Sequence, residues 1–166
     1  CLVQLSAGDG DAHLVQIARG QRDAPRLAAL LADPGREKLF HFGRFDIAVL
    51  FHAFGALAGP VYCTKIASKL VRTYTDRHGL KNLCQELLEI DISKQQQSSD
   101  WGAGTLTEAQ QAYAASDVLY LHRLREILDQ RLARERRAEI AAACFAFLPT
   151  RARLDLLGWP ETDIFS

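Results

Sequence analysis

Short apolar runs alternate with amphipathic stretches and then give way to helices alone. That order limits this chain to a layered α/β domain with its sheet on the amino-terminal side. Residues 1–6 and 12–17 read as two strands around the turn AGDGD, which has hairpin chemistry. DAPRLAALLAD carries an early Pro and an apolar period near 3.6, the pattern of a helix. EKLFHF is a short strand, and RFDIAVLFHAFG is a helix that Gly55 ends. VYCTKIASKLVRTYTDRHG predicts a brief strand and then a helix closed at Gly79; LKNLCQELLEI is a further helix. Residues 92–106 form a long polar loop. A helix then starts at Thr107, with the T-x-x-Q capping-box spacing to Gln110, and is expected to run to about Arg131. Another helix covers roughly 135–148, and TRARLDLLGWP closes the fold.

The chain has 166 residues, 48% of them hydrophobic, enough for one domain with a real core over residues 1–166. Its formal net charge is zero, so no global field draws in a polyanion. A nucleic acid would have to be held by a local patch or by metal ions on acidic side chains. Four scattered cysteines without a C-x-x-C spacing argue against a zinc site and against a disulfide framework, and they fit a cytoplasmic protein. No apolar run approaches a membrane span. Methionine is absent, and CLVQLS reads as a strand entered midway, so we expect the natural start to lie upstream.

Chemistry concentrates in three side chains. Tyr113 and Asp117 stand four apart within YAASDVLYLHRLRE and share one helix face. Asp46 falls in the first turn of its helix, where the dipole favours the ionised carboxylate that a metal requires. Two acids can hold divalent ions and a phenol beside them can hold a water, a set suited to phosphodiester hydrolysis. Each piece alone has an ordinary explanation: a helix-start acid, a solvated Asp at the edge of a core stripe, a snorkelling Tyr. Lys65, Lys69 and Arg72 fall at i, i+4 and i+7, which reads as a phosphate-contacting patch or as a plain solvated face. In the loop KQQQSSDW, Trp101 either stacks a base or anchors the loop in the core. Lys94 and the Gln and Ser residues suit phosphate and ribose contacts.

Taken together, FHFGRFDIAVLF and KQQQSSDWGAGTLTEAQQAYAASDVLYLHRL resemble the ribonuclease D-like branch of the DEDD 3′–5′ exonucleases, in its tyrosine-bearing subgroup. CTKIASKLVRTYTDRHGLK and FLPTRARLDLLGWPETDIF are similar to the NrnC group in particular. The resemblance implies a ribonuclease H-like α/β fold, a central mixed sheet flanked by helices, of which an amino-terminal strand is expected to be missing here. It implies two divalent metal ions (Mg²⁺ or Mn²⁺), four acidic ligands and a tyrosine that orients the attacking water. Asp46 and Asp117 match two of those ligands and Tyr113 the tyrosine. The other two acids belong to a D-x-E motif that this sequence does not contain.

The expected substrate contacts are His41, Arg44, Phe45, Lys65, Lys94, Gln97, Ser98 and Trp101. Many relatives carry Asn after the histidine, where Phe42 stands here. The implied activity is 3′–5′ hydrolysis of dinucleotides or very short RNA to nucleoside 5′-monophosphates by a ring-shaped homo-octamer. The alternatives are a general exonuclease on longer RNA or DNA, and a non-catalytic nucleic-acid-binding scaffold of the same fold.

Overall fold

The structure is a computed structural model that describes residues 1–93, 95–96 and 98–166. It is α/β, as the alternation predicts. Strands β1 (Leu2–Leu5) and β2 (His13–Gln16) form the expected antiparallel hairpin, with Val3 opposite Val15. Helix α1 (Pro25–Ala32) begins on its proline, where the missing N–H costs nothing. Strand β3 (Lys38–Phe40), helix α2 (Gly43–Phe54) and strand β4 (Val61–Cys63) make a β-α-β unit whose strands pair in parallel, Leu39 opposite Tyr62. Antiparallel and parallel pairings are thus both present, as separate two-stranded ladders. Helices α3 (Thr64–Val71), α4 (Leu80–Leu88), α5 (Glu108–Ser116), α6 (Leu121–Arg134) and α7 (Ala138–Leu156) complete the domain.

One core joins these elements. Tyr62, Cys63, Ala67 and Val71 meet Ile47 from α2, Leu83 from α4, Leu124 and Leu128 from α6, and Phe145, Leu148 and Ala152 from α7. The face of α7 continues past Pro149, although a proline removes one helical hydrogen bond. Apolar burial on both sides of it holds the helix together to Leu156, eight residues beyond the expected end. All four cysteines are free thiols, and no helix among the described residues is long and apolar enough to cross a membrane.

Two helix boundaries differ from the sequence expectation, each for a visible reason. Helix α3 stops at Val71, not Gly79, because Arg72 turns inward. Its guanidinium is only 1% exposed. It takes the Arg77 carbonyl at 2.7 Å, the Ser68 hydroxyl at 3.0 Å and the Glu86 carboxylate. Arg72 is therefore a structural strut, and it leaves the basic face that its spacing with Lys65 and Lys69 suggested.

The single helix expected from Thr107 to Arg131 is two helices. Ser116 Oγ donates to the Tyr113 carbonyl at 2.6 Å, the acceptor that the Asp117 N–H would use in a continuing helix. Asp117 N–H reaches the Ala114 carbonyl at 3.3 Å, and residues 117–120 form tight turns before α6 begins.

The Arg72–Glu86 pair yields a stability prediction. Glu86 is 38% exposed in its side chain, yet the hydrogen bond from Arg72 pulls its carboxyl down to about 2. Glu86→Gln is expected to cost about 1–3 kcal/mol at pH 7 by leaving a buried cation poorly compensated. A depressed carboxylate stabilises above its ordinary value and loses that contribution as pH falls toward its folded value. Urea unfolding of both proteins at pH 7 and near pH 3 should therefore show the gap narrowing in acid, and an equal gap at both pH values would refute the assignment.

Candidate active site

The carboxyl ends of the parallel strands β3 and β4 open onto the place where α2 starts, the usual position for a site in an α/β unit. Phe42 caps α2 in the left-handed region, φ 64°, without a side-chain cap bond. A bulky side chain is uncommon there, whereas Asn, the residue that the resemblance leads one to expect at this point, tolerates it. Gly43 must follow, because an added Cβ would lie 2.7 Å from the Phe40 Cβ. This corner places Asp46 in the first turn of α2, facing inward.

Helix α5 brings the partners. Thr107 and Gln110 form the reciprocal capping box that their spacing predicts, Gln110 N–H to Thr107 Oγ1 at 3.3 Å and Thr107 N–H to Gln110 Oε1 at 2.9 Å. From that fixed start the helix delivers Tyr113, half-buried, and ends on Asp117.

The electrostatics tie the three residues together. Burial first, and then the Asp117 carboxylate, pushes Asp46 up to about 6. Burial likewise raises Asp117. Burial and then Asp117 raise Tyr113, keeping its phenol neutral. Neither carboxylate has a salt-bridge partner among the described residues. Two like charges brought together out of water without a cation are costly, and such pairs concentrate at functional sites. Their hard oxygen donors fit Mg²⁺ or Mn²⁺. No cluster of three or more His, Cys, Asp or Glu residues suited to a metal occurs among the described residues.

The other expected residues separate. His41 sits at the end of β3, its Nδ1 2.9 Å from Thr64 Oγ1 at the end of β4. Thr64 is fully buried and donates its one proton to the Phe40 carbonyl at 3.2 Å, so His41 Nδ1–H donates to Thr64 and Nε2 keeps its lone pair. Burial, then Lys65, lowers His41 to about 4, which keeps it neutral. Lys65 holds its ammonium 3.7 Å from the Phe42 ring centroid, at the rim of this corner. Phe45 is 65% exposed, one residue before Asp46.

Arg44 is committed elsewhere. It forks onto Asp155 of α7 at 2.6 and 2.8 Å, so its role in this structure is to fasten α2. Ser98 is exposed in the loop, and Lys94 and Gln97 lie outside the described residues. Trp101 is half-buried against Tyr113, ring centroids 5.8 Å apart. A cavity of about 280 Å³ lies beside Tyr113, walled by Ile92, Ser93, Ala112, Ser116 and Tyr120 among others. Sequence reasoning passed over Thr64, whose place at the end of a strand facing His41 was the available signal, and it credited Gln110 only with its cap.

The sequence matches the family described as "3'-5' exonuclease" over residues 1–133. It is 38% identical over 164 residues to the ribonuclease D of Gluconacetobacter diazotrophicus, covering 98% of this chain and 40% of that protein. The chain thus spans about two fifths of the length of that curated relative. The structure superimposes on Brucella melitensis NrnC bound to pGG with a TM-score of 0.97 and 63% identity, over 100% of this chain and 80% of that one. It matches the Brucella melitensis NrnC structure with bound Mg²⁺ with a TM-score of 0.96 and 62% identity, over 100% and 81%.

Two stability tests follow from the geometry. In metal-free protein Asp46→Asn should be stabilising by about 2 kcal/mol at pH 8, since a carboxyl raised above its ordinary 3.8 stabilises only when protonated. The difference should shrink as pH falls through about 6 and vanish below about 4, and denaturant titrations across that range check it. Phe42→Gly should relieve the left-handed backbone and add about 1 kcal/mol, seen as a rise of roughly 2–4 °C in melting temperature.

Proposed function

Because this chain belongs to the 3′–5′ exonuclease family, we propose that it hydrolyses dinucleotides or very short RNA from the 3′ end, releasing nucleoside 5′-monophosphates. The observation that carries the proposal is the convergence of Asp46, Asp117 and Tyr113, two cation-free half-buried carboxylates beside a neutral phenol. Likeness to a nuclease whose structure holds pGG, and to the same nuclease with Mg²⁺, supports both the substrate class and the metal requirement. Asp46 and Asp117 would hold divalent ions, Mg²⁺ or Mn²⁺, two in the arrangement that the resemblance implies. Such ions, when bound, neutralise phosphate charge and make water acidic enough to attack.

The chain's own groups supply the rest. The Tyr113 hydroxyl, held neutral by its burial and by Asp117, orients the attacking water by hydrogen bonding. His41 presents Nε2 as an acceptor fitted to a sugar hydroxyl, with Thr64 fixing the tautomer. The exposed Phe45 ring would stack a base next to Asp46. Lys65 gives a positive charge at the rim for a phosphate. Lys94, Gln97 and Ser98 belong to the same proposal as loop contacts to phosphate and ribose.

Assembly and place are part of this reading. We take the protein as a cytoplasmic homo-octamer, supported by the sequence likeness to the NrnC group. The exposed apolar tail side chains Leu157, Trp159, Ile164 and Phe165 also favour self-association.

The test is a time course on the protein as its gene encodes it, with 5′-labelled RNA of two and seven nucleotides in Mg²⁺ or Mn²⁺. Rapid loss of the dinucleotide over the heptamer is expected, and equal trimming of both would make the enzyme a general exonuclease. Cleavage of neither would favour a scaffold. Asp117→Ala should abolish turnover, and Tyr113→Phe should reduce kcat by roughly 10²-fold or more with little change in KM. Normal turnover of Asp117→Ala would remove the assignment.

A further inference from the structure

We propose that Trp101 and Gln110 are positioning residues for Tyr113: Gln110 latches the loop onto α5, and the latched Trp101 buttresses the phenol ring in the orientation that hydrolysis needs. This rests on the functional reading of Tyr113 given above. The Tyr113 hydroxyl has no hydrogen-bond partner among the described residues, so packing against its ring is what sets its direction. Trp101 supplies that packing, its ring tilted 37° to the phenol at a centroid distance of 5.8 Å.

The loop is held firmly enough to act as a buttress. Gln110 is 6% exposed and every group of its amide is in use. Its Oε1 accepts from Thr107 N–H, while its Nε2 donates to Ser99 Oγ at 3.2 Å and to the Asp100 carbonyl at 3.0 Å. Those two acceptors immediately precede Trp101. Asp100 Oδ1 accepts from Gly102 N–H at 2.8 Å, which turns the chain just after the indole. Gln16 Nε2 of β2 reaches the Ala103 carbonyl at 3.2 Å, and Gln111 Nε2 reaches that of Leu106 at 3.0 Å. Gln110 and Tyr113 are three apart on α5 and share a face, so one short helix carries both the latch and the ring that it steadies. An indole already applied to Tyr113 is a support first. A base-stacking Trp101 would leave its face open to substrate.

The experiment measures kcat and KM on labelled dinucleotide for Trp101→Ala, Trp101→Phe, Gln110→Ala and Tyr113→Phe, with the first and third also built on Tyr113→Phe. Trp101→Ala and Gln110→Ala should each lower kcat roughly 10-fold, the scale of a displaced reacting geometry, with KM nearly unchanged. Trp101→Phe should restore most of the loss, since a ring is what the contact needs. On the Tyr113→Phe background neither change should lower kcat further, because groups that act as a unit are not additive. Acrylamide quenching of Trp101, read in a Trp159→Phe protein, should increase with Gln110→Ala, and this reports the latch without reference to activity. A rise in KM at constant kcat would make Trp101 a base contact and overturn the proposal. Losses that multiply with that of Tyr113→Phe would overturn it too. Wild-type turnover of Tyr113→Phe would instead bring down the functional reading itself.

Discussion

Asp46 and Asp117 repel each other across a half-buried space, and the surrounding architecture has to hold them there. Left to relax, two such carboxylates would move apart or turn to water. Three anchors prevent it. The parallel ladder fixes the corner from which α2 departs, and Gly43 admits the close pass over Phe40. The Arg44–Asp155 fork fastens the same end of α2 to α7, with Arg151 sharing the carboxylate at 2.8 Å. The capping box fixes the start of α5, so that its far end is fixed as well. The repulsion that the fold tolerates when metal-free is, on the proposed reading, the attraction that it would offer to a divalent cation.

Several basic residues of this chain, whose 20 Lys and Arg balance 20 Asp and Glu, are engaged inside the fold. Arg137 and Lys38 donate to backbone carbonyls, Lys38 to those of Asp33 at 2.8 Å, Arg36 and Gly59 at 2.6 Å, and Arg72 divides its donors between the Arg77 carbonyl, Ser68 and Glu86. Arg151 grips the tail through the carbonyls of Trp159 and Thr162. These cations stitch loops that no ladder would hold. Other cations, among them Arg22, Lys69, Arg123 and Arg153, stay exposed, and on the proposed reading substrate would be met by a few groups at the corner of α2 and on the loop before α5.

Much of the site was legible because its determinants are local. The T-x-x-Q cap and the first-turn position of Asp46 each depend on a handful of neighbours and stand as read, whereas Y-x-x-x-D was read within one long helix and Asp117 instead caps α5. The end of α5 was not legible. Apolar positions keep one phase from Ala114 through Leu121, Leu124 and Leu128, while a single hydroxyl, that of Ser116, diverts the backbone bond. Periodicity cannot register a break that leaves the phase intact. Arg72 was misread for a related reason: spacing locates a side chain on a helix, but its direction came from Glu86, fourteen residues away. Arg44 has its partner 111 residues away, which no local pattern records.

The hydrogen bond from Gln16 to Ala103 joins residues 87 apart and ties the amino-terminal hairpin to the loop that carries Trp101. Side chains alternate along a strand, so a one-residue slip of β2 against β1 would turn Gln16 to the other face and release the loop. Contacts between distant parts of a chain close late in folding, after local helices have formed. The site would then be the last part of the molecule to be finished, and a chain that is compact but misregistered would keep its carboxylates while lacking a settled tyrosine. Hydrolysis would in that case be confined to molecules that have completed their topology, so that turnover per molecule measures how much of a preparation is fully native.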